Sequence, residues 1–277
     1  MSTDRLYALG VADAVEQLDL ALTALTMPGE LASDARARLV CHDYGDAALL
    51  VNIIGDDYTT RWSTAQSLGE ALRSDWPPGL IDVVASYQDL FVSFDPLVTG
   101  HAALRGVVAE LAGRPRRPRP RPRPRPRQHF VVPVVYGGEF GPDLAAVADA
   151  LSTTEESVVA LHLAGDWTVR FVGTVGAPMM DGPRLPASVP RLVTPRARVQ
   201  PGSVAVSGLH CMVYNAASPG GWRLIGRTPA RLFDLDRPPH VPYRSGDTIR
   251  FERIDPADWS RWDKPLEACE PVRDGAA

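Results

Sequence analysis

Apolar residues recur at Val11, Val15, Leu18, Leu22 and Leu25, a spacing of three and four that predicts an amphipathic helix stopped by Pro28-Gly29. Residues 1–37 thus read as a helical docking arm. The period then shortens. Leu39-Val40-Cys41, a Gly45-Asp46 turn and Ala48 to Ile53 predict a strand hairpin. Tyr58, Trp62, Ala65, Leu68 and Leu72 return to near-helical spacing, ending at Pro77-Pro78-Gly79. Strands over Leu80–Ala85 and Leu90–Phe94 follow, then a helix marked by Leu104, Val107, Val108 and Leu111. The order β-β-α-β-β-α over 38–112 predicts a small α+β domain, a ferredoxin-like sandwich or close to it.

Past residue 128 a strand is expected over Phe130–Tyr136, a turn at Gly137-Gly138 and a short helix from Asp143 to Leu151. Ser152-Thr153-Thr154-Glu155 has the form of a capping box opening a second helix through His162. Short strand candidates then alternate with Gly- and Pro-rich turns: Trp167–Val172, Ser203–Val206, Met212–Tyr214, Arg223–Ile225 and Thr248–Ile254. That texture predicts a mostly antiparallel barrel or sandwich over 129–255. Trp259 and Trp262, three apart, would dock a short helix in a tail spanning 256–277.

The two parts are joined at 113–128 by alternating arginine and proline, which fixes φ, repels itself and offers nothing apolar to bury. An extended polyproline II tether follows, spanning about 40 Å at ~3.1 Å per residue. Its bland role is a spacer; the alternatives are an arm for RNA, anionic lipid or a PxxP-reading partner. The net charge is -4, but the tether holds eight of the 29 basic residues, leaving 21 against 33 acidic, or -12. The folded parts are therefore acidic, and nucleic acid is not expected on them.

With 45% hydrophobic and 22% charged residues, the bulk of the chain should fold as two domains. The apolar stretch Leu20–Leu25 is too short for a signal core or a membrane span, so a cytoplasmic chain without membrane contact is expected. Cys41, Cys211 and Cys269 are odd in number and show no C-x-x-C spacing, which supports neither a disulfide framework nor a zinc cluster. Lysine occurs once, at Lys264, and no P-loop motif is present, so a P-loop nucleotide site is excluded.

Two segments carry unusual text: Val132-Pro133-Val134-Val135-Tyr136-Gly137-Gly138-Glu139-Phe140-Gly141-Pro142-Asp143-Leu144, and Ser218-Pro219-Gly220-Gly221-Trp222-Arg223-Leu224-Ile225-Gly226-Arg227-Thr228-Pro229. Gly-Gly turns bring backbone N–H groups close to a ligand, and an anion could be held there beside Arg227; equally, such pairs are ordinary turn formers. At these segments the chain resembles the bacterial family known as KipI, PxpB or allophanate hydrolase subunit 1, of the carboxyltransferase-domain superfamily. The likeness continues in order through His162, Gly173, Pro195-Arg196, Pro201-Gly202-Ser203-Val204, Gly208, Tyr214 and Ser245-Gly246-Asp247-Thr248-Ile249-Arg250-Phe251. Gly45 to Val51 and Phe94-Asp95-Pro96 resemble its N-terminal domain, so most of residues 38 to 254 is covered.

The resemblance implies a cyclophilin-like β-barrel after the tether and association with a second carboxyltransferase-type subunit, similar to allophanate hydrolase subunit 2 or the C component of 5-oxoprolinase. A third component of the LamB/YcsF type and a small-molecule amide substrate are implied as well. The implied activity is that of an ATP-dependent amidohydrolase subunit, opening 5-oxoproline to glutamate or acting in a related urea or allophanate enzyme, with ATP and Mg²⁺. A branch named for inhibiting a sporulation histidine kinase supplies the alternative, a regulatory interaction protein without its own catalysis.

Opening a lactam needs anion holders and a proton-transfer group, because phosphorylating the poor amide electrophile creates the leaving group. Arg196, Arg198 and Arg227 are the candidates for phosphate or carboxylate, Glu139 or Asp143 for Mg²⁺ or a proton, and His162 for proton transfer. Tyr136, Tyr214, Ser218, Gly220, Gly221 and Trp222 complete the substrate- and nucleotide-binding set. Each has a plain alternative: a core or capping histidine, a glutamate bracing its turn, a surface ion pair at Arg196, a core tryptophan. The family's aromatic loop after Gly173 is replaced here by Thr174 to Asp181, and its Gln-Thr-Gly by His210-Cys211-Met212. Adjacent residues on a strand face opposite ways, so His210 and Cys211 are not expected to pair as base and nucleophile.

Overall fold

The computed structural model describes residues 38–113, 127–183 and 185–269; the predicted arm, most of the tether and the end of the tail lie outside them. The chain divides into two compact units, Met1–Arg119 and Pro120–Ala277.

In the first unit the alternating segments form strands β1 (Arg38–Tyr44), β2 (Ala48–Ile54), β3 (Leu80–Ala85) and β4 (Asp89–Phe94), and the helical periods form α1 (Tyr58–Asp75) and α2 (His101–Gly113). The antiparallel sheet runs β1-β2-β4-β3. A β-α-β-β-α-β sandwich has this order only once its last strand is moved to the front, so the chain enters through a hairpin where a ferredoxin-like fold enters through a single strand. Leu49, Val51, Ile53, Leu90, Val92 and Phe94 alternate onto the helix-covered face, meeting Ala65, Leu68, Leu72, Leu104 and Val108. Helix α1 starts where the Asp57 carboxylate accepts the Thr60 N–H at 2.6 Å.

In the second unit the barrel strands are β5 (His129–Tyr136), β6 (Trp167–Val172), β7 (Pro178–Asp181), β9 (Ser203–Ser207), β10 (His210–Val213), β12 (Arg223–Arg227) and β13 (Thr248–Arg253). They close in the order β10-β7-β6-β13-β5-β12-β9. Strands β5 and β13 run parallel, from Thr248 opposite His129 to Arg253 opposite Val134; the other described pairings are antiparallel. Inward positions Phe130, Val132, Val134, Trp167, Val169, Ile249 and Phe251 fill the interior. Helices α3 (Leu144–Ala150) and α4 (Glu155–Leu163) add Leu144, Val147, Val158 and Val159 to the same core. A separate two-stranded ribbon pairs β8 (Arg196–Val199) with β11 (Ser218–Gly220), and a one-turn helix α5 covers Trp259–Trp262.

The cap of α4 differs from the predicted box. Thr154 is the N-cap and its hydroxyl accepts the Ser157 N–H at 3.2 Å, so the working pair is Thr154 and Ser157 rather than Ser152 and Glu155. Strand β7 lies inside the replaced loop. The turn before it holds Val175 at φ 53 and Gly176 at φ 69, with the Asn215 amide donating to the Val175 carbonyl at 3.2 Å and the Tyr243 hydroxyl to that of Gly176 at 2.6 Å. Left-handed backbone costs a β-branched residue about 1–3 kcal/mol, which these two bonds offset.

Candidate functional site

The candidate residues separate into three places. Inside the barrel, the last residue of β5 and the last turn of α4 bring Tyr136 and His162 together, and β10 points Cys211 inward to meet them. The His162 ring is 1% exposed; its Nδ1 lies 2.8 Å from the Tyr136 hydroxyl and its Nε2 3.3 Å from the Cys211 sulfur. It packs on Trp167 and Phe251, and Trp167 Nε1 donates to the His162 carbonyl at 2.9 Å. Burial pushes His162 down to about 3, and lifts the Tyr136 hydroxyl and the Cys211 thiol well above their ordinary values. At neutral pH the three groups are uncharged, and an imidazole that donates once and accepts once satisfies both partners.

The expectation for Cys211 holds in one respect: it does not pair with His210, whose Nδ1 is 2.7 Å from Asp181 while Arg170 Nε donates to the same carboxylate at 2.9 Å. Its partner is His162, 49 residues away along the chain.

The second place is the ribbon. Opposite registers put Ser218 across from Val199 and Gly220 across from Arg196. Arg196 Nη2 donates to Asp143 Oδ1 at 2.8 Å, and the other oxygen of Asp143 accepts the Leu224 N–H at 2.7 Å. Asp143 is 6% exposed, so this pair ties the start of α3 to the ribbon across low dielectric. The second terminal nitrogen of Arg196 is buried and meets no acceptor among the described residues. Tyr214 lies beside this pair: burial raises its hydroxyl, while the Trp222 N–H bonded to it and then Arg191 and Arg196 draw it back. Trp222 is half-buried against Val199, Ala205, Tyr214 and Leu224. A Cβ on Gly220 would stand 2.3 Å from the Tyr214 hydroxyl, so this glycine admits the tyrosine, a reason that neither the turn nor the ligand-approach reading of the sequence contained. Arg191 and Arg198 are exposed at the same ribbon.

The third place is the Gly137-Gly138 turn, where both glycines take positive φ and Glu139 is exposed. Gly141 passes so close to β12 that a Cβ would fall 2.1 Å from the Ile225 carbonyl. Arg227 is held away from the ribbon: its Nε donates to the Pro201 carbonyl at 2.9 Å, and its guanidinium lies 5.4 Å from the Trp259 ring, which also stacks on Phe140. The structure thus brings Asp143, Arg196, Tyr214, Ser218, Gly220, Gly221 and Trp222 together, and keeps His162 with Tyr136, Glu139 and Arg227 apart from them. Arg191 was missed by sequence reading; its only signal is an arginine five residues before Arg196.

The donor set tests the implied Mg²⁺. Both oxygens of Asp143 are engaged, and among the described residues no group of three or more His, Cys, Asp or Glu side chains is placed to hold a metal ion. Among the described residues, then, Asp143 is engaged with Arg196 and Leu224 and no preformed cluster of side chains stands ready for a metal ion. The exposed arginines of the ribbon do fit a phosphate or carboxylate. Among the described residues, no helix is long and apolar enough to cross a membrane.

Comparison with known proteins places these features. The profile of the carboxyltransferase domain, subdomain C and D, matches residues 39–243. The B component of 5-oxoprolinase from Bacillus subtilis is 30% identical over 223 residues, covering 78% of this chain and 92% of that protein. The Haemophilus influenzae protein of the same name is 37% identical over 166 residues, 60% of this chain and 72% of the relative. The crystal structure of the Kluyveromyces lactis urea amidolyase superposes over 88% of this chain with a TM-score of 0.69. At 16% identity that is a likeness of fold, and this chain spans 17% of that much longer one.

Proposed function

The chain belongs to the family of the carboxyltransferase domain, subdomain C and D, and on that premise we propose that it is a component of an ATP-dependent amidohydrolase that opens 5-oxoproline to glutamate. The observation that carries the proposal is the similarity to the 5-oxoprolinase B component across 92% of the Bacillus relative's length. In this reading the second unit is a cyclophilin-like barrel, the boundaries near residues 113 and 128 separate two domains, and the partner is a second carboxyltransferase-type subunit with a third component.

The geometry favours a component over an autonomous enzyme. Hydrolysing a lactam requires a group that moves protons where the amide is bound. His162, neutral and enclosed, is a core-ordering residue in this account, and Asp143 is spent on Arg196 and Leu224. The ribbon supplies recognition instead. Arg191, Arg196 and Arg198 hold the substrate's carboxylate or the transferred phosphate, with Ser218 and the Gly220-Gly221 backbone beside them. Phosphorylation of the lactam oxygen by ATP activates the ring carbon to water. The ring nitrogen, taking up a proton, is expelled from the adduct as the C–N bond breaks, and hydrolysis of the acyl phosphate that remains gives glutamate and phosphate. The ion that accompanies ATP is carried by it or by another subunit.

Co-purifying the chain with its second subunit and third component, then following ADP release, tests the substrate. The complex should release ADP when 5-oxoproline is added and not when urea is added. A verified complex that stays silent with 5-oxoproline removes the assignment.

A further inference from the structure

A pocket of about 230 Å³ opens in the second unit, lined by the start of β5, the 231–242 loop and the 265–268 segment. The ribbon belongs to the other end of that strand. Gln128 precedes β5 and Gly137 follows it, and the eight residues between them at ~3.3 Å each span roughly 26 Å. Backbone bonds tie the pocket's walls together: the Arg231 N–H donates to the Lys264 carbonyl and the Leu266 N–H to the Arg231 carbonyl, both at 2.9 Å. Buried Phe130, Leu232 and Leu266 give it apolar surface, and the prolines on its walls stiffen it without adding backbone donors.

Its polar groups are balanced in sign, Arg231 and Arg237 against Asp234 and Glu267. Arg237 Nη2 donates to Glu267 Oε1 at 3.2 Å, and with side chains 59% and 72% exposed this pair opens easily. Gln128 is fixed through its backbone, its N–H donating to Asp247 Oδ1 at 2.9 Å and its carbonyl accepting the Thr248 N–H at 3.0 Å. Its side-chain Oε1, however, is buried and meets no donor among the described residues. Buried acceptors are normally satisfied, and the broad terminal torsion of a glutamine lets this one turn toward a donor in the pocket.

We propose that the pocket binds a free α-amino acid with an apolar side chain. The zwitterion inserts into the Arg237–Glu267 pair: its carboxylate takes the guanidinium, its ammonium takes Glu267, and one ion pair becomes two. The ammonium also supplies the donor that Gln128 Oε1 lacks, while the side chain lies on Phe130, Leu232 and Leu266. A plain carboxylate displaces Glu267 without giving it a new partner, and a plain amine does the same to Arg237, so both bind more weakly. The proposal stands apart from the amide hydrolysis, because the pocket lies away from the ribbon.

Isothermal titration of the full chain with L-leucine, L-phenylalanine, N-acetyl-L-leucine and L-leucinamide tests this. At least one of the two amino acids should bind, and the leucine derivatives, which lack the ammonium or the carboxylate, should bind at least about tenfold more weakly than the amino acid. Arg237→Ala and Glu267→Ala should each weaken amino-acid binding about tenfold. Circular dichroism checks that both stay folded, and if one does not, the other decides. No binding of either amino acid up to about 10 mM would overturn the site. Derivatives that bind as well as the amino acids would overturn the zwitterion, as would undiminished binding in the folded variants.

Discussion

His162 carries a pH prediction whose sign and size follow from its burial. Its folded value of about 3 lies below the ordinary 6.5, so between those limits the unfolded chain binds a proton that the folded chain refuses. The stability contributed by the neutral imidazole is fully present above pH 6.5 and is lost as pH falls toward 3. The slope approaches ~1.4 kcal/mol per pH unit, and between pH 7 and pH 4 the loss from this residue is about 3 kcal/mol. Replacing it by His162→Gln removes the titration, while whatever the substitution costs in packing is a constant offset. Urea unfolding followed by tryptophan fluorescence suits the test, since Trp167 stacks on His162. The unfolding free energy of the wild-type chain should fall about 3 kcal/mol further than that of His162→Gln over this range. Parallel curves would refute the reasoning. They would mean that the imidazole takes up its proton in the folded barrel and is open again to acid–base chemistry.

Three further outcomes check other parts of the account. Thiol labelling of the native chain at mild alkaline pH should modify the exposed Cys269 at once, Cys41 slowly because burial raises its thiol, and Cys211 only on unfolding; mass spectrometry reads the order. Asp143→Ala should destabilise the barrel by ~3 kcal/mol, because it leaves the Arg196 guanidinium and the Leu224 amide without an acceptor, and thermal melts of Asp143→Ala, Arg196→Met and the double variant should show the two changes strongly non-additive. Gly141→Ala, driven onto the backbone carbonyl of Ile225, should cost ~3 kcal/mol or more and abolish soluble expression, whereas Gly106→Ala, with open space around it on α2, should raise Tm slightly.

Much of the frame was legible in the residues. Leu49, Val51 and Ile53 alternate as a half-buried strand must, and Trp62, Ala65, Leu68 and Leu72 repeat as a helix face must, so these elements follow from local periods. Strands β7, β8 and β11 were not legible. Pro178–Asp181, Arg196–Val199 and Ser218–Gly220 are three or four residues long and rich in Pro, Gly or Arg, and only their tertiary partners make them strands. The candidate site was legible in composition and not in assembly. Arg196 and Asp143 are 53 residues apart, and the inward aim of Cys211 toward His162 depends on barrel register that no local pattern encodes. The Gly220-Gly221 pair read as turn formers before a ligand approach, and neither reading held the Tyr214 hydroxyl that requires Gly220, because it arrives from outside the ribbon.

Glutamate formed from 5-oxoproline by the reconstituted complex tests the central claim most directly. With this chain, its partner subunits and ATP present, glutamate should accumulate, and omitting either the chain or ATP should stop it. Undiminished glutamate formation without the chain, or none from a verified complete complex, would contradict the account.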